Sequence, residues 1–201
     1  DFMSIRFGTS GWRAIIADEF TFSNVRLVAE AICSYLKESI SEGENTLIVG
    51  HDSRFMGEKF SQVAAEIAKR KGFRVLLCNH PTPTPTISHA IRNKRAVGGM
   101  NFTASHNPPE YQGIKFSTAD GAPALPEITK RIEEIIKSVP KVEDREGGLI
   151  EEFDARPAYL DDLKTKIRFD VIAGADVDAD HAGHQLISVR AIPRPTPRGA
   201  G

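Results

Sequence analysis

Residues 46–78, TLIVGHDSRFMGEKFSQVAAEIAKRKGFRVLLC, decide the fold class. Residues 46–50 are a short apolar run, partly β-branched and bounded by turn formers, which predicts a buried strand. Over residues 58–71, apolar residues recur at steps of three and four before Gly72, which predicts an amphipathic helix with a glycine cap. Residues 73–78 predict a second strand. A strand, a helix and a strand in this order predict a parallel crossover unit and therefore an α/β protein.

The same alternation continues on both sides of this unit. The further predicted elements are helices over residues 23–43, 86–92 and 126–139 and strands over residues 96–102 and 113–117. They imply a mostly parallel sheet that is covered on both faces. Ligands of such sheets bind at the carboxyl ends of the strands, so we expect a site in the loops after Val49 and Met100.

Composition excludes several classes of protein. The chain has 201 residues, of which 40% are hydrophobic, and its 26 basic and 27 acidic side chains give a net charge of −1. A near-neutral chain without a basic stripe is not typical of a nucleic-acid binder, and no apolar run approaches the roughly 18 residues of a membrane span. Cys33 and Cys78 lie in apolar periodic segments, which favours buried thiols in a reducing compartment. We therefore expect a cytoplasmic protein that acts on a small molecule, without nucleic acid or membrane as partner.

A first candidate site is the segment Thr103-Ala-Ser-His-Asn-Pro108, which follows a predicted strand. Prolines restrict this loop, Ser105 stands beside His106 and Asn107, and Lys115 follows ten positions after the serine. The pattern is compatible with a nucleophilic serine. The residues alone favour a rigid turn in which serine and asparagine bond to the backbone.

Two further segments are candidates. In Gly8-Thr-Ser-Gly-Trp-Arg13 the glycines allow a sharp turn, and Arg13 offers a planar group suited to phosphate; the alternative is a tight turn with a surface arginine. Neither a P-loop nor a dinucleotide motif is present. Asp52 and Arg54 follow the strand that ends near Val49, where they could contact a substrate or form a structural ion pair.

Together, Gly8–Arg13, Thr103–Pro108 and Gly113-Ile-Lys115 resemble the motifs of the α-D-phosphohexomutase family, from about residue 4 to about residue 172. The resemblance implies a three-layer α/β/α first domain with a mixed, mostly parallel sheet over residues 1–140. It also implies a linker over residues 141–155 and the start of a second domain over residues 156–172. Residues 173–201 lack periodicity and predict a poorly ordered tail.

The resemblance also implies roles. Ser105 becomes phosphorylated and transfers its phosphoryl group to a hexose monophosphate, through a bisphosphorylated sugar, so that phosphate moves between positions 1 and 6. Lys115 transfers a proton at the attacking hydroxyl, Arg13 stabilises phosphoryl charge, and His106 shapes the loop as a further catalytic residue. Substrate contacts are expected from Arg54 and Asn107. Mg²⁺ is the implied cofactor, bound through the Ser105 phosphate, and glucose 1,6-bisphosphate is the implied activator.

The sequence departs from the family after Val171. The family takes its metal aspartates from a loop Asp-Gly-Asp-x-Asp-Arg of a second domain. Asp176, Asp178 and Asp180 alternate in that way, but valine stands at the glycine position and histidine at the arginine position, so we expect no metal site there. We expect a shifted reading frame or an early stop after Val171, an inactive first domain, and self-association through surface that missing domains would cover.

Substrate and activity have alternatives. By the family resemblance, the opening Gly8-Thr-Ser-Gly11 favours glucose or mannose phosphates over glucosamine phosphates. Phosphoglucomutase is the expected specificity, with phosphomannomutase and phosphoglucosamine mutase as alternatives. Two other classes of function also fit: a non-catalytic module that binds sugar phosphates or a protein partner, and an enzyme that hydrolyses its own phosphoserine.

Overall fold

The computed structural model describes residues 5–8, 11–40, 45–138 and 146–173, and the backbone of residues 177–180 and 188–191. The chain divides into two compact units, Asp1–Tyr159 and Leu160–Gly201. The helices are α1 (Phe22–Ser39), α2 (Gly57–Arg70), α3 (Thr84–Asn93), α4 (Pro126–Ser138), α5 (Arg156–Lys166) and α6 (Phe169–Ala173). The strands are β1 (Trp12–Ile15), β2 (Thr46–His51), β3 (Arg74–Cys78), β4 (Gly98–Phe102), β5 (Tyr111–Thr118), β6 (Leu149–Phe153), β7 (Val177–Asp180) and β8 (Ser188–Ala191).

The first unit is built on a six-stranded sheet with the order β1-β5-β4-β2-β3-β6. The four strands β4, β2, β3 and β6 pair in parallel. Strand β5 is antiparallel to both of its neighbours, β4 and β1, so it alone runs against the other five strands of this sheet. The prediction of a mixed, mostly parallel sheet is confirmed.

Helices cover both faces of the sheet, as predicted for three layers. Because successive residues of a strand point to opposite faces, Val49 packs against helices α1, α2 and α4 through residues such as Ile32 and Phe60. Its neighbour Ile48 packs on the other face against Ile91 of α3. Each such side chain, once fully buried, contributes about 1.5–3 kcal/mol to the hydrophobic stabilisation of the fold.

Helix α1 shows how local sequence sets an element. The helix begins after Thr21, whose extended backbone and hydroxyl cap it by accepting a hydrogen bond from the Asn24 N–H (3.3 Å). The helix starts at Phe22, one residue before the predicted start at residue 23. The helix buries one apolar face and ends at Ser39, before the predicted end at residue 43, which lies outside the described residues.

Strand β6 overturns part of the predicted linker over residues 141–155. Residues 149–153 form the edge strand of the sheet, paired in parallel with β3 from Leu149 opposite Arg74 to Phe153 opposite Cys78. An edge strand keeps one side in solvent and can therefore carry charged residues. For this reason the charged residues of β6 favour the interpretation of an exposed connection. The Arg74 guanidinium group donates to both carboxylate oxygens of Glu151, at 2.6 and 3.0 Å. Residues 141–145 lie outside the described residues.

In the C-terminal part of the chain, the segment over residues 156–172, predicted to start a second domain, contains two helices. Helix α5 ends at Lys166 and the short helix α6 follows. Of the predicted tail, two segments form an antiparallel pair of strands in which Val177 lies opposite Ala191. Asp176, and the side chains of Asp178 and Asp180, lie outside the described residues, so the prediction about a metal site there stays a prediction. None of the helices in the described ranges has the length and apolar character of a membrane span.

Candidate active site

The segment that follows β4 presents Ser105 in an unusual backbone conformation. Ser105 is exposed and has a φ of +58°, in the left-handed region that favours glycine. Its N–H donates to Thr103 Oγ1 (3.0 Å), and the Asn107 N–H donates to the Ala104 carbonyl oxygen (3.1 Å). The loop is thus a rigid turn, as the residues alone favoured, and it holds the serine hydroxyl at the carboxyl end of the sheet.

Arg54 fixes this loop from the loop that follows the neighbouring strand β2. Its side chain is only 16% exposed, and Asp52 lies beside it, with Oδ1 accepting the Arg54 N–H (2.9 Å) and Oδ2 lying 3.6 Å from Arg54 Nε. Hydrogen bonds from a charged group are about twice as strong as neutral ones. Its guanidinium nitrogens donate to the carbonyl oxygens of Pro108 (2.8 Å), Tyr111 (3.2 Å), Ser105 (2.9 Å) and Asn107 (2.5 Å). Arg54 therefore organises the loop, whereas its contact with substrate stays a prediction.

Arg13 reaches the loop from the other side, through β1. It lies opposite Gly113 in the pairing of β1 with β5, and its Nη1 donates to Asn107 Oδ1 (2.9 Å). A Cβ atom at position 113 would lie 3.0 Å from Arg13 Cγ and 2.7 Å from the Thr103 carbonyl oxygen. Glycine at this position therefore makes room for the arginine beside the serine loop. Asn107 is held by Arg13, and its predicted contact with substrate stays a prediction.

The glycines before β1 form the predicted tight turn. The N–H of Gly8 donates to the Gly11 carbonyl oxygen (3.0 Å), and Gly11 has a φ of +113°. A Cβ atom on Gly11 would lie 2.3 Å from the Ile114 carbonyl oxygen. The turn thus packs directly on β5 and delivers Arg13 to the site; Thr9 and Ser10 lie outside the described residues.

Lys115 lies two residues after Gly113 on β5 and therefore points to the same face as Arg13. The side chain is half-buried, and burial lowers its pKa. The positive charge of Arg13 lowers the pKa further, and the negative charge of Asp52 opposes both effects. A lower pKa enlarges the neutral fraction of the amine, which is the form that can accept a proton.

His106 is exposed next to the serine. Its Nδ1 lies 3.5 Å from Ser105 Oγ, at the outer limit of a hydrogen bond. The imidazole can therefore contact a group attached to the serine oxygen, and its catalytic role stays a prediction.

Two supporting residues were missed in the sequence. Gln112 is buried, its Oε1 accepts the Gly113 N–H (3.1 Å) and its Nε2 donates to the Phe55 carbonyl oxygen (3.3 Å), so it ties the loop after β2 to β5. Thr103 holds the Ser105 N–H. A glutamine inside a buried strand was the available signal, because buried polar side chains need partners.

The implied magnesium ion does not fit the described residues on their own. They contain no group of three or more His, Cys, Asp and Glu side chains that could hold a metal. Ser105 supplies a single oxygen, and the Asp52 carboxylate is engaged by Arg54. Mg²⁺ prefers an octahedron of oxygen ligands, so no reaction step is assigned to it here.

Residues 4–143 match the family model described as phosphoglucomutase/phosphomannomutase, alpha/beta/alpha domain I. The chain belongs to this family. Among family members, a phosphoglucomutase of Staphylococcus saprophyticus is 31% identical over 141 residues, which cover 67% of this chain and 25% of the relative. A phosphoglucomutase of Komagataeibacter xylinus is 30% identical, covering 89% of this chain and 36% of the relative. A phosphoglucosamine mutase of Finegoldia magna is 29% identical, covering 87% and 39%.

A solved structure of the phosphoglucomutase/phosphomannomutase family supports the same assignment. The protein, described as a "putative phosphomannomutase" from Thermus thermophilus, is 38% identical, with a TM-score of 0.76 over 86% of this chain and 38% of that one. The chain thus spans about a quarter to two fifths of the length of these relatives. Their names include different sugars, so membership of the family leaves the sugar open.

Proposed function

We propose that this chain carries the phosphoserine domain of a phosphohexomutase, in which Ser105 exchanges a phosphoryl group with hexose 1- and 6-phosphates. The observation that carries the proposal is the exposed Ser105, held in a left-handed conformation on the sheet edge where Arg13 and Lys115 also lie. A nucleophile, a fixed cation and an amine with a lowered pKa are the groups that phosphoryl transfer needs.

The proposed reaction starts from phosphorylated Ser105. The bond between phosphorus and Ser105 Oγ breaks, a bond between phosphorus and the free sugar hydroxyl forms, and Lys115 takes the hydroxyl proton. Arg13 stabilises the charge on the phosphoryl oxygens during transfer. The bisphosphorylated sugar then turns around, its other phosphate returns to Ser105 Oγ, and Lys115 gives the proton back to the sugar oxygen.

Glucose is the proposed sugar because of the relatives named phosphoglucomutase. By the family resemblance, the opening Gly8-Thr-Ser-Gly11 disfavours glucosamine but does not separate glucose from mannose. Mannose and glucosamine phosphates are the alternatives. The Mg²⁺ requirement, activation by glucose 1,6-bisphosphate, cytoplasmic location and self-association stay predictions.

The experiment is incubation of the chain with glucose 1,6-bisphosphate and Mg²⁺, followed by intact-mass measurement and fragment mapping. The sequence alone predicts an inactive domain. Because Ser105, Arg13 and Lys115 lie together in this chain, we expect the opposite, namely one added phosphate on Ser105 and none in Ser105→Ala. The matched control is Ser53→Ala, which removes an exposed hydroxyl from the neighbouring loop and should leave phosphorylation intact. We expect Lys115→Met to lower the rate of phosphoryl transfer by about 10²–10⁴-fold while phosphate remains on Ser105.

Other outcomes identify the alternatives. Binding of sugar phosphate without any added mass would contradict the proposal and favour a non-catalytic module. Steady release of inorganic phosphate from labelled Ser105, without sugar product, would indicate hydrolysis of the phosphoserine.

A further inference from the structure

Asn101 is a buried polar residue whose side-chain amide makes a hydrogen bond through its nitrogen but, among the described residues, not through its oxygen. It lies on β4 and is 2% exposed. Its Nδ2 donates to Thr84 Oγ1 (2.9 Å), at the first turn of α3, which anchors the side chain at this helix. Its Oδ1 is buried and accepts no hydrogen bond from the part of the chain that the structure describes. Buried side-chain oxygens nearly always accept a hydrogen bond, so this one calls for a donor.

The residue directly opposite Asn101 is Lys115. The two are paired across β4 and β5 and therefore point to the same face of the sheet. Directly opposed residues of antiparallel strands have their Cβ atoms about 4.5–5.5 Å apart. The Lys115 ammonium group has three N–H donors, and none of them bonds to a described residue. An unused acceptor and an unused donor thus stand side by side.

A small cavity beside the lysine leaves its side chain room to move. Helix α3 contributes the hydroxyl residues Thr84 and Ser88, which line a cavity of about 50 Å³ together with Lys115. The charged groups that act on Lys115 are Arg13 from β1 and Asp52 from the loop after β2. The flexible four-carbon stem of a lysine permits its amine to turn between these charges and its strand neighbour.

We propose that Asn101 is the positioning residue of Lys115, with Lys115 Nζ donating a hydrogen bond to Asn101 Oδ1. The inference rests on the proposed role of Lys115 in proton transfer. A neutral amine carries two N–H groups and one lone pair. When one N–H is held by the amide oxygen, rotation about the Cε–Nζ bond is restricted and the lone pair can face the sugar hydroxyl.

The bond has a consequence that does not depend on turnover. An acceptor for the ammonium group favours its charged form, so removal of the acceptor should lower the Lys115 pKa below its value in the unmodified chain. A carboxylate at the same place should raise it, because a negative charge favours the ammonium form more strongly.

The test is an NMR titration of the full chain carrying ¹³C-labelled lysine, with the Lys115 signal assigned through Lys115→Arg. We expect Asn101→Leu to shift the titration midpoint of Lys115 to lower pH and Asn101→Asp to shift it to higher pH. The matched control is Ser117→Ala, which removes a hydroxyl from the same face of β5 two residues away and should leave the midpoint unchanged.

An unchanged midpoint in Asn101→Leu would overturn the inference. If that variant does not fold, Thr84→Val decides, because it removes the hydroxyl that anchors the Asn101 side chain. A lower midpoint in Thr84→Val supports the inference, and an unchanged one overturns it. Failure of Ser105 to gain phosphate would count against the proposed function and leave these titrations unaffected.

Discussion

At the residue scale, Ser105 places a side chain where the backbone conformation suits glycine. The left-handed conformation disfavours residues with a Cβ atom by roughly 1–2 kcal/mol. Thr103 and Arg54 hold the loop in this conformation through hydrogen bonds. A disfavoured backbone conformation that several neighbouring residues hold in place is typical of functional sites.

We therefore expect a glycine variant at position 105 to be more stable than an alanine variant, the reverse of the usual order. Ser105→Gly should be more stable than Ser105→Ala by about 0.5–1 kcal/mol, since glycine avoids the Cβ penalty but gains freedom in the unfolded chain. Urea unfolding of the two variants measures the difference. Ser53 is a matched exposed position that does not have a positive φ, so Ser53→Gly should be the less stable of its pair. An alanine variant more stable than the glycine variant at position 105 would show that the loop relaxes in solution.

At the element scale, the strands of the six-stranded sheet that the sequence analysis missed lie at its two edges. Strand β1 has only four residues and follows a glycine turn, and β6, with the sequence LIEEF, alternates incompletely between apolar and acidic residues. Central strands buried on both faces give continuous apolar runs, which is why β2, β3 and β4 could be predicted. Edge strands lack that signal because solvent covers one side of them.

Helix α5 carries a pH-dependent cap. Asp154 Oδ1 accepts the Arg156 N–H (3.0 Å), and both of its carboxylate oxygens accept hydrogen bonds from the Arg156 guanidinium group. These bonds to Arg156 lower the Asp154 pKa from 3.8 to about 2. The folded state thus binds this proton less readily than the unfolded state, so the stabilisation is complete above about pH 4 and is lost as the pH falls towards 2.

We therefore expect Asp154→Asn to be less stable than the unmodified chain at pH 6, with the difference shrinking between pH 4 and pH 2. Helical circular dichroism during thermal unfolding measures it. Asp161→Asn, which removes an exposed carboxylate within α5, is the control and should not reproduce the pH dependence. An equal difference at every pH would contradict the assignment of the effect to the Asp154 carboxylate.

At the scale of the whole molecule, the reactivity of the two cysteines indicates whether the helices on each face of the sheet remain packed against it. Cys33 is buried in the core between the sheet and helices α1, α2 and α4, and Cys78 is buried on the face covered by α3. Burial raises the pKa of Cys33 to about 12 and that of Cys78 to about 11. Thiolates are the reactive form, so both thiols should be inert in the folded chain.

We expect no alkylation of either cysteine by iodoacetamide at pH 8 in the folded chain, and alkylation of both in urea, as measured by mass spectrometry. Substitutions that open one face should expose one thiol first. Ile91→Ala removes a buried contact of α3 and should speed the modification of Cys78 more than that of Cys33. Equal acceleration of both would mean that the two faces open together.

The site shows the limit of prediction from sequence at this scale. The serine loop and Lys115 could be found because their residues are contiguous or nearly so. The alignment of Asn101 with Lys115, the four carbonyl bonds of Arg54 and the bond from Arg13 to Asn107 depend on strand register and on contacts across many residues. Local periodicity carries no information about register between two strands, so these features required the structure.

The reversed direction of β5 has one more consequence. If the strand after β4 were parallel to it, the chain would first have to return through a crossover helix to the amino ends of the strands. Strand β5 is antiparallel and follows β4 directly, so Ser105 and Lys115 lie on one hairpin. Closing so short a loop costs little entropy, so Ser105 and Lys115 are brought together by a contact that is local in sequence. The cations Arg13, on β1, and Arg54, in the loop after β2, come from segments that are distant in sequence. The hairpin thus carries the proposed nucleophile and base, whereas the two arginines beside them come from elsewhere in the domain.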